Sequence, residues 1–445
     1  MKTYKEFIKY IEQNDKKIIG FGTGFMAEEA LFNPKIKSRV LLFCDNNKFL
    51  QGKRIRIAGD SYEVISPDDL PKHYSDGIIV LITSGHYKEI RKQIQGMLFD
   101  SEPEVYDYPI LKVLLDPKSE EFFEERILKE CLKEYEMVLD QYQIVDDERV
   151  QKLNDKEAYI RGTGRKDRPF VLPRTMIMPT TRCNLRCQGC SSLLPLFQNP
   201  QDISIDQIIQ DCDVFFAAVD ECIRLTVGGE PFLYPDLNRI LERLIEEPKL
   251  LGIMLITNGM KIPDDSLIPL LKNKKVFVEI SDYGRLEQMG RTVSFMEKND
   301  VNFKVLSEQT WTDMGGVEKR GRSEEELRFV YLNCDQGRVI KGMYDGRFHT
   351  CARSARMFAL GAYRSGIDYF ALSESSDSEE IRTRLRKMYY SDYADACDYC
   401  DLGALPARVI ESGIQMNDKI VKSGYTIVKR KEYERLRLQS RVETK

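Results

Sequence analysis

Three cysteines fall within the eight residues Cys183-Asn184-Leu185-Arg186-Cys187-Gln188-Gly189-Cys190, directly behind the apolar run Thr175–Pro179. The chain has 11 cysteines, and at that content a C-x3-C-x2-C spacing arises by chance about once in two hundred such chains. Three thiolates can hold three irons of a [4Fe–4S] cube and leave the fourth iron without a protein ligand, open to chelate a substrate. A three-thiolate zinc site that borrows a distant fourth ligand is the alternative. The only histidines are His73, His86 and His349, scattered along the chain, so a metal here is expected to be thiolate-bound.

The surrounding sequence alternates strand and helix signals. Strands are expected at Thr175–Pro179, Cys222–Val227, Gly252–Ile256, Val276–Ser281 and Val301–Leu306. Between the first of these, Ser204 reads as the N-cap of a helix carrying Ile205, Ile208, Ile209, Cys212, Phe215, Phe216 and Val219 on one face. A second helix carries Leu237, Ile240, Leu241, Leu244 and Ile245, and stops at Pro248. Repeated units of this length predict an α/β fold, a partial (β/α)6 TIM-type barrel over 166–330, with chemistry at the C-terminal ends of its strands. An earlier alternation over 1–112 (Lys17-Ile18-Ile19, Val40–Phe43, Ile78–Ile82, then a helix with Tyr87, Ile90, Ile94 and Leu98) predicts a nucleotide-fold domain. Residues 113–165 are expected to be a helical linker, one charged helix over 118–160 with Phe123, Ile127, Leu128, Cys131, Leu132, Tyr135, Val138 and Leu139 as its buried stripe. From Tyr331 the pattern breaks into a hairpin turning at Asp345-Gly346 and a small Cys-rich extension over 331–405. Residues 406–445 form a C-terminal tail, whose basic run from Lys429 to Arg441 reads as a solvated helix rather than a binding patch.

Composition narrows the class. Lys and Arg number 67 against 71 Asp and Glu, a net charge of -4, so no global positive field favours nucleic acid. No apolar run is long enough to span a bilayer, and Met1–Glu6 leads into no secretory signal. A cytoplasmic protein is expected, and in a reducing compartment clustered thiols read as metal ligands or redox groups. Cys131, Cys212 and Cys222 fall on apolar faces and read as core; Cys44, beside Asp45, could be either.

The cysteine loop and its neighbours resemble the radical SAM superfamily over about 160 to 405. The resemblance implies that the open iron binds the amino and carboxylate groups of S-adenosylmethionine. One electron, from a donor such as flavodoxin or ferredoxin, then yields methionine and a 5′-deoxyadenosyl radical that removes a substrate hydrogen. Gly228-Gly229-Glu230-Pro231 looks like the family's methionine-binding loop, its carboxylate suited to an ammonium group. Thr257-Asn258-Gly259 and Ser281-Asp282 are similar to positions near the methionine carboxylate and ribose. The implied cofactor-binding set is therefore Gly228, Gly229, Glu230, Asn258, Ser281 and Asp282, beside the metal ligands Cys183, Cys187 and Cys190. The residue before the third cysteine is usually aromatic and lies by the adenine; here it is Gly189. Arg182 and Arg186 flank the loop, as partners of an anionic cluster or as exposed arginines.

A second set, Cys334, Cys351, Cys397 and Cys400, resembles the SPASM/twitch extensions. Gly346-Arg347-Phe348-His349-Thr350-Cys351 matches their G-x4-C, and Cys397-Asp398-Tyr399-Cys400 their closing C-x2-C. A second, auxiliary [4Fe–4S] cluster is implied, with a four-thiolate zinc site as the alternative. Residues 15–100 resemble the small Rossmann-like domains of sugar-nucleotide-processing proteins, with Gly20, Gly22, Gly24 and Asp45, although Phe25 stands where the fingerprint places a glycine. That domain is read as binding a ligand or as a docking module. Together these resemblances imply hydrogen abstraction from a carbohydrate or nucleotide sugar, for dehydrogenation or epimerisation. Peptide modification is the alternative, and a noncatalytic iron–sulfur or nucleotide-binding scaffold is the alternative of another class. Glu279 shares a strand face with Ser281 and is the expected catalytic residue near substrate, unless Lys304 is its structural partner.

Overall fold

The computed structural model describes residues 3–114, 120–163, 167–283, 286–307, 310–334, 336–337 and 339–416. The Phe123 side chain and the basic run from Lys429 to Arg441 lie outside them.

Near the N-terminus, β1 (Lys17–Phe21), β2 (Val40–Cys44), β3 (Lys53–Ile57), β4 (Asp60–Ile65), β5 (Ile78–Ile82) and β6 (Val105–Asp107) form one sheet in the order β3-β4-β2-β1-β5-β6. All neighbours are parallel except the β3/β4 hairpin. Ile18 packs on one face and Ile19 on the other, so the central strands read as unbroken apolar runs. The edge strand β3, Lys53-Arg54-Ile55-Arg56-Ile57, alternates charge with isoleucine and escapes that signal. Leu98 was expected on a buried face; the helix Tyr87–Gln95 ends before it, and Leu98 is exposed.

The linker is a helical hairpin where a single helix was expected. α1 (Glu120–Gln141) and α2 (Asp146–Arg161) are separated by a turn with Gln143 and Asp146 both at φ 57°. Reversal lets the charged faces pair, as in Arg149–Asp140 and Arg161–Glu125.

The large sheet holds β7 (Val171–Ile177), β8 (Glu221–Val227), β9 (Leu250–Thr257), β10 (Val276–Asp282) and β11 (Phe303–Ser307), all parallel. A short β12 (Thr310–Thr312) leaves it. β13 (Ile340–Tyr344) then returns to the opposite edge and pairs parallel with β7, followed antiparallel by β14 (Arg347–His349) and β15 (Tyr369–Ala371). The order β11-β10-β9-β8-β7-β13-β14-β15 thus contains six parallel strands, the partial (β/α)6 barrel. Its sixth strand lies beside the first, so the sheet runs on past residue 330. β16 (Val409–Glu411) pairs with β12. Helices α3 (Ile205–Ala218), α4 (Leu237–Ile245), α5 (Glu324–Asn333), α6 (Ala352–Ala359) and α7 (Ser378–Tyr389) complete the parts used below. Leu225, Val227, Ile253, Leu255, Val278 and Ile280 pack against Phe215, Leu241 and Leu244 on the helical side.

α1 closes the other end of the barrel. Cys131 and Val138 pack on Val171 and Ile223, and Glu134 makes a buried ion pair with Arg224. Gln141 donates to Lys275 O at 3.1 Å, ahead of β10, and accepts from Asn302 Nδ2 at 2.7 Å, ahead of β11. The N-terminal strand ends are plugged, which leaves the cysteine-bearing C-terminal ends open to chemistry. Among the described residues no helix is long and apolar enough to cross a membrane.

Candidate functional site

The cysteine loop springs from the C-terminal end of β7. Its neck is pinned where Thr180 Oγ1 donates to Asp202 Oδ1 at 2.6 Å and Thr181 N to Gln201 O at 2.9 Å. Cys187 is buried, while Cys183 and Cys190 are half-buried. Burial pushes the Cys183 thiol up to about 12, and Glu230, Cys190 and Cys187 add to the rise. Sulfur acceptors here already have donors: Leu185 N at 3.4 Å and Asn258 Nδ2 at 3.5 Å reach Cys183 Sγ. Arg182 spends its guanidinium on Asp202 and Arg186 on the Pro195 carbonyl.

Neighbouring strand ends converge on this loop. Gly229 (φ 88°) lies so close to Thr180 that a Cβ there would sit 2.9 Å from its carbonyl oxygen. Gly229 thus approaches the root of the cysteine loop, and a Cβ at Gly228 would lie 2.8 Å from Met176 Sδ on β7. Glu230 is buried, and its carboxylate accepts from Thr257 Oγ1 at 2.7 Å and Asn258 N at 3.0 Å. Burial raises its pKa to about 7. Asn258 in turn donates to Asn184 Oδ1 at 2.8 Å. Ser281 is buried at the end of β10, and Asp282 accepts from Ser307 Oγ at 3.1 Å.

A partner absent from the sequence reading lies on the other side. The segment that follows β16 runs antiparallel along the loop: Gln188 N donates to Ile414 O at 2.6 Å, and Met416 N to Arg186 O at 2.7 Å. Gln415 Nε2 donates to Cys187 Sγ at 3.0 Å. Gly189 (φ 73°) faces Ile410, whose Cδ1 would lie 2.2 Å from a Cβ at 189. Ile410 therefore occupies space that a side chain at 189 would need.

Cys334, Cys351, Cys397 and Cys400 line one cavity of about 80 Å³, together with Met176, Ser191 and Ser192 from the strand end and the cysteine loop. Two of the thiols receive backbone N–H groups, Cys334 from Gly337 at 3.1 Å and Cys351 from Ser354 at 3.3 Å at the start of α6. Burial pushes the Cys397 thiol well up, with Cys334, Cys400 and Cys351 each contributing. These thiols surround a space, and a four-thiolate donor set with N–H groups on sulfur fits an iron–sulfur cube there. Arg353, between the two thiol sets, donates to the carbonyls of Ser191, Gly315 and Gly316.

Glu279 lies on β10 in register with Lys304 and Ile256. Lys304 is exposed. The charge of Glu279 acts on Arg174 of β7, a residue the sequence reading passed over, whose guanidinium is held down to about 10 by burial first and by Arg224 second. Arg174 Nε donates to Thr226 Oγ1 at 2.9 Å. In the N-terminal sheet, Asp45 accepts from both Thr23 N at 2.9 Å and Thr23 Oγ1 at 2.7 Å, so its carboxylate ties two loops together. Leu405 packs on both faces' clusters of that sheet, joining it to the Cys-rich extension.

Residues 177–281 match the radical SAM superfamily. GTP 3′,8-cyclase of Pseudomonas syringae pv. syringae is 30% identical over 217 residues, 46% of this chain and 64% of that protein. Mitochondrial GTP 3′,8-cyclase of Arabidopsis thaliana is 38% identical over 85 residues, 19% of this chain and 22% of that protein. The chain thus spans less than two thirds of the length of the curated relatives it matches. A solved structure described as native anSMEcpe with bound AdoMet aligns with TM-score 0.35 and 13% identity over 51% of this chain and 88% of that one.

Proposed function

We propose that this chain, whose residues 177–281 carry the radical SAM domain, cleaves S-adenosylmethionine reductively and takes a hydrogen from a carbohydrate or nucleotide-sugar substrate. The observation that carries this is the convergence at Asn258. One side chain reaches Cys183 Sγ and Asn184, while its backbone N–H holds Glu230. Three strand ends are thereby locked into one site.

When bound to Cys183, Cys187 and Cys190, a [4Fe–4S] cube with an open iron supplies the electron that splits the sulfonium of S-adenosylmethionine. Glu230 offers a buried carboxylate to the methionine ammonium, and a carboxylate near 7 gains most by being paired with a cation. Asn258, Ser281 and Asp282 set out polar groups along the strand ends for the carboxylate and ribose. Cys334, Cys351, Cys397 and Cys400 surround the cavity behind the loop, a four-thiolate donor set that would hold a second cube. Glu279 and Arg174 place opposite charges on β10 and β7, within the strands below the open C-terminal ends. GTP, named in the relatives' activity, is itself a ribose-bearing nucleotide.

Anaerobic reconstitution with iron and sulfide, followed by dithionite or reduced flavodoxin, tests the reading. 5′-Deoxyadenosine is expected from the wild type and none from Cys187→Ala. Undiminished cleavage in that variant refutes it. Nucleotide sugars, GTP and peptides added in parallel identify the substrate class, and coupled turnover of peptides alone overturns the sugar assignment.

A further inference from the structure

Two cations sit wholly inside the protein, and neither has a carboxylate ion pair among the described residues. Arg356 of α6 is 0% exposed. Its Nη2 donates to Thr180 O at 2.8 Å, while Nε and Nη1 have no hydrogen-bond partner. Lys341 of β13 is also 0% exposed. Its Nζ donates to Tyr331 Oη at 2.9 Å and Gly337 O at 2.8 Å, with the Tyr331 and Tyr389 rings at 5.4 and 5.1 Å. Buried charges without counter-charges are costly, and proteins retain them where something pairs with them.

Each cation abuts one thiol set. Arg356 grips the carbonyl at the neck of the first loop; burial weighs most on its charge, and Tyr344 and then the Cys190 thiol favour it. Lys341 grips the carbonyl of Gly337, whose N–H is bonded to Cys334 Sγ. A [4Fe–4S]2+ core carries a net charge of about -1 with three thiolates and about -2 with four, and each becomes one unit more negative on reduction. The Tyr344 ring lies 5.2 Å from the Arg356 guanidinium, and an anion would meet the charge and the Nε and Nη1 groups that Thr180 O and Tyr344 leave over.

We propose that Arg356 and Lys341 are built-in counter-charges, Arg356 for a cluster on Cys183, Cys187 and Cys190, and Lys341 for one on Cys334, Cys351, Cys397 and Cys400. The proposal rests on the two-cluster reading above. Both are positioning residues: each stabilises the reduced, more negative state of its own cluster and so raises that cluster's potential. A guanidinium suits the first site because one fork can hold a carbonyl and still aim two N–H groups elsewhere.

Redox titration of reconstituted protein, followed by electron paramagnetic resonance, tests this, with a Cys397→Ala/Cys400→Ala background isolating the first signal. Iron analysis comes first, and a wild type that loads no iron fails the cluster reading itself. In iron-replete Arg356→Met, the reduced-to-oxidised ratio of the first cluster at fixed solution potential is expected to fall at least tenfold, about 59 mV for one electron, with the second cluster unmoved. Lys341→Met reverses the pattern, and Arg356→Lys stays near wild type. Unchanged midpoints in iron-replete Met variants overturn the proposal while leaving the clusters in place. If the Met variants load no iron, the charge-keeping Arg356→Lys and Lys341→Arg decide. Restored loading and potential support a charge role, and equal failure overturns it.

Discussion

Gln415 Nε2 donates to Cys187 Sγ across 228 residues of chain, at 3.0 Å. Its Oε1 meanwhile accepts from Arg186 N at 2.6 Å. One amide thus ties the segment after β16 to both the thiol and the backbone of the cysteine loop. The segment is itself anchored through the β12–β16 pair, so the loop is held from the barrel on one side and from the C-terminal tail on the other.

Gln415→Leu keeps the volume and removes the donor. A hydrogen bond to a charged sulfur contributes about 1.5–3 kcal/mol, so chelator-driven iron release from the first site is expected to be about tenfold faster, with iron uptake intact. A release rate equal to wild type would show that the contact holds nothing.

Gly189 and Ile410 form a size pair. Gly189→Phe puts a side chain at φ 73°, which costs about 1–2 kcal/mol, and drives it into Ile410. The single variant is expected to unfold at lower urea and to load less iron. Adding Ile410→Ala should recover the overlap part and leave the backbone part, a coupling that a double-mutant cycle measures. Strict additivity would mean that Ile410 does not fill the place of a residue-189 side chain.

What could be read beforehand follows burial. β5 is apolar throughout, and β8 and β10 bury Leu225, Val227, Val278 and Ile280 against the helices, so their runs stand out. The cysteine loop stands out because its spacing is rare. β13 does not, because its partner β7 lies more than 160 residues earlier and parallel pairing leaves no local mark. Gln415 and Ile410 belong to no motif, and their importance exists only once the tail folds back. Lys341 did leave a trace, a lone cation inside Val339-Ile340-Lys341-Gly342-Met343, which a buried strand does not tolerate without a partner. Arg174 was missed because the expected strand began at Thr175, whereas β7 starts at Val171.

Glu134 and Arg224 join α1 to β8 where both are almost fully buried. Glu134→Leu leaves Arg224 unpaired beside Arg174, and a loss of about 3–5 kcal/mol is expected. Glu134→Leu combined with Arg224→Met should cost far less, since neither charge remains to be compensated. Chemical denaturation of the two proteins checks it. Equal losses would place the contribution in packing and not in charge.

Metal analysis addresses the second thiol set. Two cubes give about eight irons per chain, and Cys397→Ala/Cys400→Ala should leave about four. Uncoupled cleavage of S-adenosylmethionine should persist in that variant, because the first set needs neither thiol. About four irons with one tightly held zinc in the wild type would exclude the auxiliary cluster.

The last prediction concerns Glu230, whose pKa burial raises from 4.5 to about 7. The folded state then binds the proton more tightly than the unfolded chain does. This contribution to stability is full below pH 4.5 and is lost as pH rises through 7. Glu230→Gln cannot titrate. The wild type is therefore expected to lose stability relative to that variant between pH 5 and 8, by up to about 3 kcal/mol at 1.36 kcal/mol per pKa unit. Urea midpoints at several pH values read this directly. An ammonium beside the carboxylate would favour its charged form, so S-adenosylmethionine added to cluster-loaded protein should stabilise the wild type more at pH 8 than at pH 6. In Glu230→Gln that difference should vanish. A stability gap flat with pH would mean that Glu230 is already ionised in the fold, held by Thr257 and Asn258 alone.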